Sequence, residues 1–236
     1  MTFPQSRSRQ AGFSLMELLV VITIIAILTA AGGPALSALT ASGGANQNIS
    51  QLSGILEQAR EYAVAQNTYV WVAFNTSVAS NGTKQVSVAV VASTDGTDPA
   101  TTSGQPSWQT NNYGTIPGTG LALLNKVMTL KQLSFPTAAN VANPPALPSI
   151  SGSPGSINDS TTNGGTGYFS IQVPSGAVQN FIPGIEFIPS GQVRNSSIPV
   201  TVIDLYLEPQ KGTADDTKNV AVLRMNGLTG ETVVYR

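Results

Sequence analysis

From Leu18 to Ala31 the chain carries no formal charge, and only Thr23 and Thr29 bear polar side chains. A run this long and this apolar is satisfied by lipid or by the inside of a helical bundle. One carboxylate, Glu17, stands at its N-terminal edge. Ahead of it, residues 1–12 hold Arg7 and Arg9 and no acid. As a helix, residues 13–31 span about 28 Å, close to the thickness of a hydrocarbon core. A lone carboxylate at the rim of such a span is costly, which points to a partner for Glu17. The two arginines favour keeping residues 1–12 in the cytoplasm, with the remainder exported.

The stretch Gly12-Phe13-Ser14-Leu15-Met16-Glu17, with the apolar run behind it, resembles the cleavage signature of type IV pilins and type II secretion pseudopilins. The resemblance implies that a prepilin peptidase cuts between Gly12 and Phe13 and that Phe13 becomes N-methylated. Pro34 falls where the family commonly carries a proline, and Gly32-Gly33-Pro34 is a joint at which a helix kinks or partly melts. In the family the carboxylate matching Glu17 pairs with the free amine of a neighbouring subunit. Glu17 and Phe13 are therefore the implied assembly pair. The electrostatic logic is that cleavage creates a cation inside an apolar bundle, where an unpaired charge is expensive and correct register is rewarded. The implied partners are the prepilin peptidase, other pilin or pseudopilin subunits and an inner-membrane assembly platform. An ordinary secretory signal peptide cut near Ala31, or a plain signal anchor, is the alternative reading of the same residues.

Composition bounds the rest. The chain has 236 residues, so one globular domain after the anchor is the default. Only 10% of residues are charged, and the net charge is −1. Removing Arg7 and Arg9 from the 11 bases leaves 9 against 12 acids, which disfavours a phosphate-binding patch and a nucleic-acid partner. There is no Cys and no His. Disulfides, thiol catalysis, the common zinc sites and His-based proton transfer are thereby excluded. Many type IV pilins staple their C-terminal region with a disulfide, and this chain departs from that pattern.

The chain divides as leader 1–12, transmembrane helix 13–31, remaining spine helix 32–66 and a periplasmic or extracellular β-domain 67–236. Ile49, Leu52, Ile55, Leu56, Ala59 and Tyr62 recur at helical spacing and predict an amphipathic helix lying on a sheet. Strands are predicted at 69–74, 85–92, 121–135, 168–173, 181–188, 199–207, 219–225 and 231–235. The segments 93–120 and 136–167 are rich in Thr, Gly, Asn and Pro and read as exposed, irregular insertions. The fold class is α+β: a pilin-like long N-terminal helix on an antiparallel β-domain with large loop insertions. The passage from Leu56 to Phe74, and the turns at Ile185–Gly191 and Leu228–Gly230, are similar to H-type minor pseudopilins and FimT-like minor pilins. Large pilin-signalled proteins of the Verru_Chthon cassette type, protein D in particular, are a further resemblance.

No catalytic set emerges, and the chain is read as a non-enzyme with no cofactor and no metal. Asp95-Gly96-Thr97-Asp98 has part of a calcium loop's spacing but lacks the later oxygen ligands, so a solvated turn is favoured. Asp215-Asp216 reads as a loop between strands, and Asp204, in the apolar run 200–207, as an edge-strand or solvent-face carboxylate rather than a buried acid. Gly152-Ser153-Pro154-Gly155 lacks the Lys and Ser/Thr of a phosphate loop. Trp71 reads as core and Trp108 as surface. Taken with the resemblance, these residues imply a structural minor pseudopilin of a secretion filament, single-pass in a bacterial inner membrane. The alternative is a minor pilin for adhesion or DNA uptake.

Overall fold

The computed structural model describes residues 14–98, 101–102, 105–106, 112–118, 120–151, 154–157, 168–173, 176–195 and 200–236, with backbone alone at 30–43, 101–102, 105–106, 112–113 and 168. It divides into two compact units, Met1–Ser42 and Gly43–Arg236. Helix α1, Leu15–Gln66, begins in the first unit and ends in the second. Its helical backbone continues without a break through Gly32, Gly33 and Pro34. The joint is therefore not melted here.

In the larger unit, α1 buries Ile49, Leu52, Ile55, Leu56, Ala59 and Ala63. The predicted stripe ended at Tyr62 instead, and Tyr62 is 37% exposed. Four residues on from Ala59, not three, the helix returns to the buried face, and the small Ala63 lets the last turn lie close to the sheet. The helix then stops at a left-handed residue, Asn67, with φ +49°. The Thr68 N–H donates to the Ala63 carbonyl (3.0 Å) and the Asn67 N–H to the Val64 carbonyl (3.4 Å). This is the double bond pattern of a Schellman cap, and it satisfies carbonyls that would otherwise be orphaned.

The described strands are β1 (Val70–Val78), β2 (Lys84–Ser93), β3 (Thr101–Thr102), β4 (Gln105–Pro106), β5 (Asn112–Ile116), β6 (Leu121–Leu123), β7 (Met128–Lys131), β8 (Leu133–Ser134), β9 (Gly155–Ile157), β10 (Tyr168–Gln172), β11 (Val178–Phe187), β12 (Val193–Arg194), β13 (Val202–Lys211), β14 (Ala214–Asp215), β15 (Ala221–Asn226) and β16 (Thr232–Tyr235). One sheet runs β5-β10-β11-β1-β2-β6, with β12 on β11 and β7 on β2. A second runs β14-β13-β15-β16, with β8 and β9 on β13. The main core gathers the α1 stripe, Val70, Val72 and Phe74 of β1, Val88 and Val90 of β2, and Ile203, Leu205 and Leu207 of β13. Trp71 and Ala73 point to the other face of the first sheet, where they cluster with Phe169, Ile171 and Phe181. Period-two alternation thus buries both faces of β1.

Three expectations change. The predicted strand 121–135 is three short ones, because Gln132 adopts φ +54° between β7 and β8 and residues 124–127 lie between β6 and β7. The β-domain is not wholly antiparallel: β5 runs parallel to β10, and β9 runs parallel to β13. Both parallel strands come from the segments predicted as irregular insertions. Each delivers one buried apolar residue, Ile116 and Ile157 respectively. The Pro-rich segment is also not wholly exposed: Val141 is buried with Tyr206, Val220 and Val222, and Leu147 packs against them.

Candidate functional site

Ser14 opens α1. The Met16 N–H donates to Ser14 Oγ at 3.3 Å, and the Leu18 N–H donates to the Ser14 carbonyl at 3.1 Å. A serine here satisfies one of the unpaired donors of the first turn. The pattern Ser14-x-x-Glu17 is a capping-box signature, so this helix start is legible in the sequence itself. Glu17 sits in that first turn, where the helix dipole favours a negative charge.

Beyond the cap, Leu18, Leu19, Val20, Val21, Ile22, Ile24, Ile25, Ile27 and Leu28 are all exposed. Consecutive positions are about 100° apart on a helix, so this run presents apolar side chains in every direction. The two hydroxyls in it are turned inward. Thr23 Oγ1 donates to the Val20 carbonyl (2.7 Å), and Thr29 Oγ1 donates to the Ile25 and Ala26 carbonyls (2.8 and 3.0 Å). The run therefore displays no unpaired hydroxyl and suits a water-free environment. Glu17 is the sole charged residue between Arg9 and Glu57. Chemically, this segment can do two things: bury apolar surface against other helices or lipid, and offer one carboxylate at a fixed depth. Among the described residues no helix is long and apolar enough to cross a membrane. The described side chains of the run end at Thr29. Gly12 and Phe13, the predicted cleavage and methylation positions, lie outside the described residues, as does Trp108. Pro34 lies within α1 and is described by its backbone alone.

The remaining candidates are structural. Asp95 Oδ1 accepts from Ser93 Oγ (2.8 Å), Thr97 N–H (3.0 Å) and Thr97 Oγ1 (2.7 Å). The Thr97 bonds first of all, then Ser93, hold its carboxyl down at about 2. It closes an Asx turn, and the turn's other acid, Asp98, is engaged by Arg194 at 2.6 Å. Asp215 pairs with Lys84 (2.9 Å) and accepts from Gln210 Nε2 (2.9 Å), while Asp216 pairs with Lys211 (3.0 Å). Asp215 ends the short strand β14 and is not purely a loop residue. No group of three or more potential metal-ligating side chains occurs among the described residues.

Asp204 is a correction. It is 1% exposed, on the interior strand β13, and Arg224 on β15 grips both its oxygens. The Arg224 Nη1 also donates to the Pro148 carbonyl at 2.6 Å, so the Pro-rich segment covers the pair. A second buried polar cluster had no sequence signal: Glu186 on β11, Arg194 on β12 and Asp98.

Residues 7–33 match the family model described as the prokaryotic N-terminal methylation motif. This supports a type IV pilin-like precursor. It implies processing by a prepilin peptidase, assembly with other pilin subunits, and a place at a membrane or in a filament. No curated protein and no solved structure matches the chain.

Proposed function

We propose that this type IV pilin-like precursor is a minor pseudopilin, a non-catalytic subunit of a short type II secretion-like filament for protein export. It sits first as a single-pass protein of the inner membrane with its β-domain in the periplasm. Assembly then draws the N-terminal helix into a filament core. The observation that carries this reading is the all-round apolar run of α1 with Glu17 as its one charge. Such a helix is stable only where other helices or lipid enclose it. The prepilin peptidase releases the Phe13 amine, and Glu17 of an adjacent subunit neutralises it. The assembly platform of the inner membrane supplies the force. The H-type subgroup is the better fit within the superfamily, because a helix stripe laid on β1 and two glycine turns at Gly191 and Gly230 are the features shared with it.

The test is the intact mass and N-terminal peptide of the protein from its native membrane, followed by fractionation. N-methylated Phe13 as first residue, with the protein retained in the envelope and secretion lost on its deletion, is the expected result. An intact leader, or a cut near Ala31, removes the filament reading. Recovery in sheared surface fibres with secretion unimpaired replaces it with a minor pilin for adhesion.

A further inference from the structure

Strand β16 is the outer strand of the second sheet, and among the described residues it pairs with β15 alone. The ladder opens where the Asn226 N–H donates to the Glu231 carbonyl at 2.9 Å. Antiparallel ladders alternate, so Val233 and Tyr235 turn their backbone groups toward β15. Thr232 and Val234 turn theirs outward, where no described strand receives them. Sheet edges are ordinarily blunted by shortness, charge, proline or a bulge. The other end of the same sheet follows that rule: β14 is two residues long and carries Asp215. Strand β16 does not. It reads Thr-Val-Val-Tyr, keeps an unbroken register, and leaves Val233 and Val234 exposed.

Beside this edge lies a groove. Leu223, the register partner of Val234, belongs to the main core, so Val234 points to the face that α1 covers. Ile49, Ser50 and Ser53 of α1 line one side, and Val234 and Arg236 the other, of a cavity of about 480 Å³. Ser50 is exposed and Ser53 half-buried, and both short side chains keep the helix wall low. A free strand edge beside a helix wall is the geometry of β-augmentation. Main-chain bonds hold an added strand, and its alternate side chains enter the groove. An outward row of backbone donors and acceptors suits an extended peptide and not a compact ligand.

We propose that β16 and the adjoining wall of α1 receive an extended segment of a neighbouring pilin-type subunit, added as a further strand to the second sheet. The inference rests on the reading that the chain assembles with other subunits through α1. That helix supplies the groove's wall, so the added strand extends a contact surface the assembly element already provides. Subunits of an open filament meet head to tail, and the surface that meets β16 is therefore a different surface of the neighbour. The incoming segment carries an apolar side chain for Ile49 and Val234 and a carboxylate for Arg236. The two contacts divide the work. All-round apolar packing of the N-terminal run accepts any similar helix, whereas a strand groove selects by side chain and so decides which subunit stands next.

The experiment is photo-cross-linking of the full-length protein in its native membrane. The chain has no cysteine, so Ser50→Cys places a single thiol at the groove. It is labelled with benzophenone maleimide and irradiated, and the joined peptides are sequenced by mass spectrometry. The expected adduct is with an extended segment of a second protein that carries its own N-terminal methylation motif. Val234→Pro should abolish it, because the proline removes an outward donor and no bond of the β15–β16 ladder. A wild-type urea midpoint checks that this variant folds. Ser53→Trp, which fills the groove from the helix side, should also abolish the adduct and decides the matter if the proline variant does not fold. The groove is overturned if no adduct forms, if the partner is an exported protein without the motif, if two copies join through this same surface, or if the adduct survives in a folded variant. A processed Phe13 with no adduct overturns the groove alone, whereas an intact leader overturns the subunit reading with it.

Discussion

Asp204 and Arg224 lie directly opposite one another on β13 and β15 and are joined by two parallel hydrogen bonds of 2.7 Å. The fork matches the planar guanidinium to both carboxylate oxygens, the strongest arrangement available to such a pair. The remaining donor capacity reaches the Pro148 carbonyl, and the Tyr235 ring lies 6.0 Å from the guanidinium carbon. The pair therefore ties the second sheet to the segment that covers it. Removing one partner leaves a buried charge, whereas removing both leaves a site that apolar groups can fill. Arg224→Met should destabilise the β-domain by about 3–5 kcal/mol. The double variant Asp204→Leu/Arg224→Met should recover most of that loss. Urea unfolding of the three proteins measures the difference, and equal losses in single and double variants would count against the argument.

Glu186 gives the stability a definite pH dependence. Its folded value, about 8, lies above its ordinary 4.5, with burial the largest cause. The folded protein therefore binds this proton more tightly than the unfolded chain. The associated stability is fully present below the ordinary value and is lost as pH rises through about 8. Denaturant midpoints should fall between those two values and level off above. Glu186→Gln should flatten that slope while matching the wild type at the acid end. An unchanged slope in the variant would assign the dependence elsewhere.

Gly230 and Gly191 show why two turns singled out in the sequence need glycine. Gly230 has φ +68°, and a Cβ there would lie 2.3 Å from the Gly191 carbonyl oxygen and 2.9 Å from Arg60 Cδ. The two turns thus close on each other and on the stem of a helix residue. Gly176 also has positive φ, +84°, but a Cβ there meets nothing within 4 Å among the described residues. Gly176→Ala should cost only the left-handed backbone, about 1–2 kcal/mol. Gly230→Ala should cost about 3 kcal/mol or more, since backbone must also shift. Thermal unfolding of both variants separates the two effects.

The helix stripe and most strands were legible because they are local: apolar spacing for α1, β-branched runs for β1 and β2. What escaped was set by distant partners. Spacing from Ala59 permits either position 62 or 63 on the buried face, and only the sheet's closeness selects Ala63. The apolar run around Asp204 could not reveal that its register partner twenty positions on is an arginine, nor that Pro148 closes over it. Among the described side chains, β5 and β9 each contribute one buried apolar residue from a polar stretch, below any periodic signal. The N-terminal motif was the opposite case, a contiguous signature read without tertiary information. The stripe's correction is itself testable. Tyr62→Ser should change stability by less than about 0.5 kcal/mol, and Leu52→Ala should cost about 2–5 kcal/mol.

If the chain is assembled through α1, Glu17 is the residue that separates insertion from assembly. Its carboxylate is the sole charge between Arg9 and Glu57, so it has no neighbour in that stretch to satisfy it. Apolar packing of Leu18–Leu28 carries insertion, which needs no charge, while register between subunits needs a specific pair. Glu17→Val should therefore still insert and still be cut at Gly12, yet enter filaments about tenfold less or worse, the equivalent of roughly 1.4 kcal/mol. Gly12→Ala should fail one step earlier, leaving the leader attached. The two variants are separated by mass spectrometry of the membrane fraction and by cross-linking to neighbouring subunits. Full incorporation of the Glu17→Val protein would leave helix packing intact as the assembly force and remove the charge pair from it.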